Sequence, residues 1–255
     1  MELTDAGFWD DYWAGCRIPS AVDYADPFDR CLAAALKDAL AGCKGSVLEV
    51  GCAPGKWLAF MAAEMGLMPS GIEYSEAGMA ATLKNLKALN IAYGDTLCGD
   101  FFSIEPDARF DVVMSFGFIE HFNDAAAVID RHLAWLKPGG TLVLGVPNLR
   151  GIYGPIQRML DKAILDAHNL DVMSLDYLGK AASGRGLEVR FLRYIGSFEP
   201  ALPIPPRRTR NPLLLAMKLA LRVARRIRRL KIFDNMNNAL ISSYMLMVCE
   251  KRRTR

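Results

Sequence analysis

Short apolar runs of strand type alternate with longer stretches of helical period along this chain from residue 46 onward. The runs at 46–51, 70–74, 92–98, 110–116 and 140–147 are bounded by glycine, proline or short polar residues. Helical periodicity fills the stretches 56–66, 75–89, 124–136, 152–167 and 174–184. Two more strands are predicted at 187–196 and 240–250, and a helix over 29–41 precedes the series. Strands that alternate with helices predict an α/β fold, a parallel sheet with helices on both faces. No internal repeat is visible.

The turns of this pattern carry its chemistry. Val47-Leu48-Glu49-Val50 meets Gly51-Cys52-Ala53-Pro54-Gly55 and then the helical run from Lys56. Glycines in a strand–turn–helix unit let backbone approach a ligand where a side chain would obstruct it. Three residues separate Gly51 from Gly55, so the spacing is not the G-x-G-x-x-G of dinucleotide folds. Glu73 ends the next strand roughly twenty residues further on, where α/β nucleotide folds place a carboxylate for the ribose hydroxyls. Gly99-Asp100-Phe101-Phe102 offers a carboxylate for an exocyclic amine and an aromatic surface for a ring. Phe110 to Phe116 reads as a fourth strand, Phe118-Ile119-Glu120-His121-Phe122 as the turn after it, and Pro138-Gly139-Gly140 as a helix stop that launches the fifth.

In this order the segments resemble the successive motifs of class I S-adenosylmethionine-dependent methyltransferases, over about residues 45–150. The resemblance implies a seven-stranded Rossmann-like sheet whose final strand runs antiparallel at a hairpin-like edge. It implies that S-adenosylmethionine is held by Glu49, Gly51, Cys52, Ala53, Gly55, Glu73, Tyr74, Asp100 and Phe101, with Ser115 and Phe116 to Phe118 on the methionine side. A hydroxyl acceptor must lose a proton during transfer, so a base near the methyl group is expected. His121, just past the fourth strand, is the first candidate, with helix capping as its structural alternative; His168 is the second. His132 sits inside a helix and reads as structural.

Missing motifs narrow the acceptor. The place of the Asn/Asp-Pro-Pro-aromatic motif of amino-methylating nucleic acid enzymes is taken by Phe116-Gly117-Phe118, and Pro147 is followed by Asn148 rather than a cysteine nucleophile. Ala53-Pro54-Gly55 and Trp57 resemble RNA ribose methyltransferases, but Phe116 and Val146-Pro147-Asn148 stand where those need an acid and a lysine. Val146 to Gly151 and His168-Asn169-Leu170 are similar to bacterial small-molecule O-methyltransferases of polysaccharide or lipid-linked glycan synthesis. The expected acceptor is a hydroxyl of a sugar, glycolipid or lipid-linked intermediate. Alternatives are a quinone-type metabolite, RNA, an NAD-dependent oxidoreductase lacking the usual glycine spacing, or a non-catalytic cofactor-binding protein.

Composition adds one strong asymmetry. The 255 residues are 52% hydrophobic, enough for one large core. Six cysteines form no C-x-x-C pair and no metal-ligand cluster with the three histidines, so no metal or disulfide is expected. The start of the chain is acidic and polar, without the apolar core of a signal peptide. Ala201 to Phe233 holds ten Lys/Arg and no acidic residue, leaving 21 basic against 28 acidic residues elsewhere. Pro200 to Pro206 reads as extended and 212–231 as a basic amphipathic helix. Lys218, Arg222, Arg225, Arg226 and Arg229 lie on one face, with Leu213, Met217, Ala220, Ala224 and Ile227 opposite. The Leu-rich run before Arg222 is interrupted by Lys218 and is too short to span a bilayer. The helix suits an anionic membrane surface, and equally a lid with arginines in water, with RNA as a third option. The expectation is a single methyltransferase domain: a cap over 1–44, the core over 45–198, this insertion over 199–236 and the last strand and tail over 237–255. It is expected in the cytoplasm, peripheral on the inner face of the membrane. In the cap, Trp9 and Trp13 at i and i+4 either fold over the cofactor mouth or only dock a helix.

Overall fold

Residues 4–198 and 212–253 are described by a computed structural model. Pro200 to Pro206 lies outside them. The strands are β1 (Ser46–Val50), β2 (Met68–Glu73), β3 (Thr96–Cys98), β4 (Phe110–Phe116), β5 (Leu136–Pro147), β6 (Glu188–Phe198) and β7 (Ser242–Glu250), arranged in one sheet in the order β3-β2-β1-β4-β5-β7-β6. The first five are parallel; β7 is antiparallel to both β5 and β6. Strand order reverses direction between β1 and β4. That switch point opens a crevice beyond the carboxyl ends of the strands, where α/β folds bind ligands.

The strands read as continuous apolar runs because both sheet faces are covered. Leu48, Val50, Val113, Leu142 and Leu144 pack into one core with Val128, Ile129 and Leu178. Their neighbours Val47, Val112, Met114 and Val143 point the other way, against Leu32, Leu36, Leu58 and Leu86. This is the period of two that a strand imposes. The helices behind these contacts are α1 (Ala6–Trp13), α2 (Pro27–Ala39), α3 (Lys56–Met65), α4 (Glu76–Ala88), α5 (Ala125–Trp135), α6 (Tyr153–Leu160), α7 (Lys162–Asp166), α8 (Leu175–Ser183) and α9 (Pro212–Arg228).

Several element boundaries differ from the sequence expectation. Strand β5 begins at Leu136, so Pro138, Gly139 and Gly140 lie within it rather than in a turn that launches it. Helix α2 begins at Pro27, capped by Asp26, whose side chain accepts from the amides of Phe28 and Asp29. The stretch 152–167 is two helices, because Asp161 adopts an extended backbone (φ −161°, ψ 105°) and its carboxylate accepts from the Ala163 amide to start α7. Strand β3 is confined to Thr96–Cys98.

The insertion helix α9 is pinned by a residue expected to be one more solvent cation. Arg228 is 1% exposed and donates to Asp234 Oδ1 at 2.7 Å and to the Gly196 carbonyl at 3.1 Å. Arg30 of α2 donates to both oxygens of the same carboxylate, at 2.8 and 2.9 Å. Leu221, also buried, shares this inner face. The face that docks is thus not the expected Leu213–Met217–Ala220–Ala224–Ile227 row. Ala224 is half-buried, but Ala220 and Ile227 are exposed. The side chains of Leu213, Met217, Lys218 and Arg225 lie outside the described residues.

Candidate active site

At the switch point a cavity of about 600 Å³ lies against the β1–α3 turn. Gly51 takes φ +71°, a left-handed conformation that L side chains rarely adopt. A Cβ there would stand 2.9 Å from Phe118 Cδ2. The turn is tied to β2 by amide bonds from Gly51 and Cys52 to the Ile72 carbonyl, at 2.9 and 3.2 Å. Glu73, at the end of β2, is 5% exposed and lines the cavity. The Ala53 amide donates to its Oε2 at 3.1 Å and the Ser75 amide to its Oε1 at 3.0 Å. Burial raises the Glu73 pKa, and the amides of Ser75 and Ala53 pull it back. Each oxygen keeps lone-pair capacity for a further donor.

Helix α1 roofs this cavity, and it does so by docking. Asp10 Oδ1 accepts from the Ser75 hydroxyl at 2.6 Å and the Ala77 amide at 3.1 Å, at the start of α4. Trp9 and Trp13 both line the cavity, and Trp13 lies over Gly78, where a Cβ would be 2.9 Å from Trp13 Cδ1. The two alternatives for the tryptophans, cover and dock, are therefore one arrangement.

On the far wall, His121 and His168 face each other with ring centroids 4.6 Å apart. These two residues, 47 positions apart, meet because the Asn169 amide donates to the Glu120 carbonyl and its side chain to the Phe122 carbonyl, at 2.6 and 3.0 Å. His121 Nδ1 is 3.1 Å from the Ala167 carbonyl. A carbonyl oxygen only accepts, so Nδ1 carries the proton and Nε2 keeps the lone pair. Burial, and then the charge of His168, lower the His121 pKa to about 4, against the opposing pull of the Ala167 carbonyl. The ring is neutral at pH 7. Trp9 packs edge-on against it at 5.1 Å, so the lone pair sits in an aromatic enclosure. Beside it, Glu120 is 1% exposed, has one oxygen without a hydrogen-bond partner among the described residues, and is pushed by burial up to about 8. Glu120, His121 and His168 each place one ligand-type atom within 4.8 Å of the others.

The other expected site residues divide in two. Ala53, Tyr74, Phe101 and Phe116 line the cavity with Gly51 and Glu73. Glu49, Cys52, Gly55, Asp100 and Ser115 do not. Glu49 is buried beneath the turn, its pKa raised well above the usual range by burial and by the charge of Glu73. Cys52 packs under Gly71, where a Cβ would meet its Sγ at 2.6 Å. Gly55 (φ +83°) caps α3 and packs on Thr82. Ser115 is buried within β4. Asp100 shapes a turn: Oδ1 accepts from the Phe102 amide at 2.9 Å and Oδ2 from the Ser103 hydroxyl at 2.6 Å. Each Asp100 oxygen, like those of Glu73, keeps lone-pair capacity for a further donor, although the residue does not line the cavity. Phe118, expected on the methionine side, lines the cavity as well, whereas Phe122, Gly99 and Glu120 are not singled out by the sequence as site residues. A single acid among apolar neighbours in Phe118-Ile119-Glu120-His121-Phe122 was the available signal. His132, as expected, is buried in α5, with Nδ1 2.7 Å from the Val128 carbonyl.

A second cavity of about 690 Å³ adjoins, and His168 belongs to the walls of both. Its walls carry a larger polar share than those of the first cavity, with Arg17, Asp23, Asn148 and the ion pair Lys56–Asp29 at 2.6 Å beside Phe28, Leu149 and Tyr244.

Comparison with known proteins follows this geometry closely. Residues 22–191 match the family model described as a methyltransferase domain. The chain belongs to the methyltransferase domain family. Among curated relatives of this methyltransferase domain, the ubiquinone biosynthesis O-methyltransferase of Rhodopseudomonas palustris (strain BisB5) is 32% identical over 102 residues, 40% of each chain. A probable S-adenosylmethionine-dependent methyltransferase of Mycolicibacterium smegmatis is 33% identical over 107 residues, 42% of this chain and 40% of that protein. The chain thus spans about two-fifths of the length of these relatives. Among solved structures, the [4+2]-cyclase SpnF has a TM-score of 0.63 at 18% identity, covering 98% of this chain and 96% of its own. Phosphoethanolamine N-methyltransferase 2 of Haemonchus contortus, in complex with S-adenosyl-L-methionine, has a TM-score of 0.57 at 18% identity, covering 98% and 58%. At these identities the structures speak for the fold.

Proposed function

We propose that the protein is an S-adenosylmethionine-dependent methyltransferase acting on a hydroxyl of a small-molecule acceptor. The fit of the cofactor rests on the cradle at Gly51, which any Cβ would fill, and on the clamped carboxylate of Glu73. Glu73 accepts from the ribose hydroxyls, Phe101 and Ile72 face the adenine, and Phe116 to Phe118 flank the methionine side. The cofactor supplies an electrophilic methyl on a sulfonium; the protein supplies alignment and exclusion of water.

The observation that carries the proposal is the tautomer of His121. Its proton is committed to the Ala167 carbonyl, so the Nε2 lone pair is available within the cavity that Glu73 also lines. With S-adenosylmethionine bound, the sulfonium would supply the methyl and leave as the neutral thioether, while His121 Nε2 would take the proton of the acceptor hydroxyl. An attacked hydroxyl becomes strongly acidic as the new bond forms, so a base of low pKa suffices. It then returns its proton readily to solvent. His168, shared by both cavities, contacts the acceptor from the polar side.

The polar second cavity supports a hydroxyl-rich acceptor, a sugar or a lipid-linked sugar. A second reading, a quinone-type phenol, has its own support in the aromatic walls around His121 and in the relatives named for ubiquinone biosynthesis. Formation of S-adenosylhomocysteine with panels of lipid-linked sugars and of dihydroxyphenols tests both. Turnover with neither panel nor a cell extract, despite cofactor binding, would leave a binding protein rather than an enzyme.

A further inference from the structure

Helix α9 lies beyond the stretch matched by the family model, and its outward face remains unexplained by the site. Leu215, Leu219, Val223, Ile227 and Leu230 are each at least half exposed. Leu215, Leu219, Val223 and Ile227, four residues apart, form an apolar stripe along the helix, and Leu230 extends it just past the helix end at Arg228. Arg222, Arg226 and Arg229, all exposed, follow one edge of that stripe at i, i+4 and i+7. The opposite side of the helix, Leu221 and Arg228, is already used for docking onto the domain.

We propose that this outward face of α9 docks onto an anionic phospholipid bilayer. The two halves of the stripe demand different things of a partner. The apolar side chains gain by leaving water. The arginines gain by meeting a dense array of phosphates, which their planar forks accept as paired hydrogen bonds. An anionic headgroup plane over acyl chains supplies both in that lateral order. A second copy of the chain would bring arginine against arginine, with no acidic residue between Ala201 and Phe233 to relieve it. RNA would satisfy the arginines and leave the apolar stripe in water. Attachment is peripheral, since among the described residues no helix is long and apolar enough to cross a membrane. Arg228, held by Asp234 and the Gly196 carbonyl, keeps the helix seated on the domain, so the stripe is presented without unfolding it.

The test is flotation of the full chain with vesicles of phosphatidylglycerol mixed into phosphatidylcholine, against pure phosphatidylcholine. Wild type should float with the anionic vesicles at low salt and lose about tenfold in bound fraction as the Debye length shrinks from about 10 Å toward 3 Å. The triple variant Arg222→Gln, Arg226→Gln, Arg229→Gln should stay at the bottom. So should Leu219→Gln, Val223→Gln, Ile227→Gln, which keeps every charge and separates insertion from bare electrostatics. Calorimetric binding of S-adenosylhomocysteine shows whether each variant is folded. An apolar variant that floats like wild type would overturn the proposal. So would wild type that ignores anionic vesicles while sedimenting as a dimer dispersed by the apolar variant, or while binding RNA.

Discussion

His121 and Glu120 are neighbours in sequence whose titrations run in opposite directions. The His121 pKa is held near 4, below its ordinary value of 6.5, so the base form prevails above about 4. The kcat/KM profile should therefore show its acid limb near 4 rather than near the usual histidine range. His121→Ala should lower kcat about a hundredfold, with cofactor affinity unchanged, and abolish that limb. A variant retaining most of its turnover would move the proton to His168 or to solvent. Glu120 is raised to about 8 from 4.5. Its native state holds a proton that the unfolded chain has released, so its contribution is full below about pH 4.5 and lost as pH rises through about 8. Melting temperature should fall between about pH 5 and 8 in wild type and fall less in Glu120→Gln over that range, as scanning calorimetry can show. Asp100→Ala, by contrast, should lose only the turn bonds to Phe102 and Ser103 and change cofactor affinity by less than about threefold. The acid–aromatic pattern at Asp100-Phe101 reads as an adenine contact, and the structure adds a turn in which Asp100 accepts from Phe102 and Ser103. Nothing in the pattern says that a neighbouring serine hydroxyl will occupy the carboxylate.

At the scale of elements, the strands were legible because both faces of the sheet are apolar and their ends carry glycine turns. The break at Asp161 was not, because helical period continues across it and only the bond to the Ala163 amide shows the restart. Helix α1 is the element that roofs the cavity. Asp10 ties it to the start of α4, and its pKa is lowered by the Ser75 hydroxyl and then the Ala77 amide, despite desolvation. That contribution is present above the ordinary aspartate range and is lost as pH falls through it. Asp10→Ala should loosen the roof, raising the S-adenosylhomocysteine off-rate about tenfold in stopped-flow measurements with little change in on-rate. An unchanged off-rate would make α1 a passive cover.

Across the whole molecule, one carboxylate joins α2, α9 and β6. Asp234 receives Arg30 and Arg228, and Arg228 also reaches the Gly196 carbonyl. Burial pushes the Asp234 pKa upward, but the two guanidiniums hold it below the usual carboxylate range. Removing it strands the buried Arg228, so Asp234→Ala should cost about 3 kcal/mol in urea unfolding. Sequence alone could not single out Arg228 from its neighbouring arginines, since a basic run treats each cation alike until tertiary contacts choose one. The turns after β1, β2 and β4 did predict where the cavity lies, because Gly51, Tyr74 and Phe118 fall at the carboxyl edge of the sheet and line it. The most direct test of that cavity is calorimetric titration with S-adenosylhomocysteine, comparing wild type with Glu73→Ala. Leaving the ribose hydroxyls without their acceptor should cost about 1.5–3 kcal/mol, or roughly ten- to a hundredfold in affinity. Equal affinity in a folded Glu73→Ala variant, or no binding by wild type, would contradict the account.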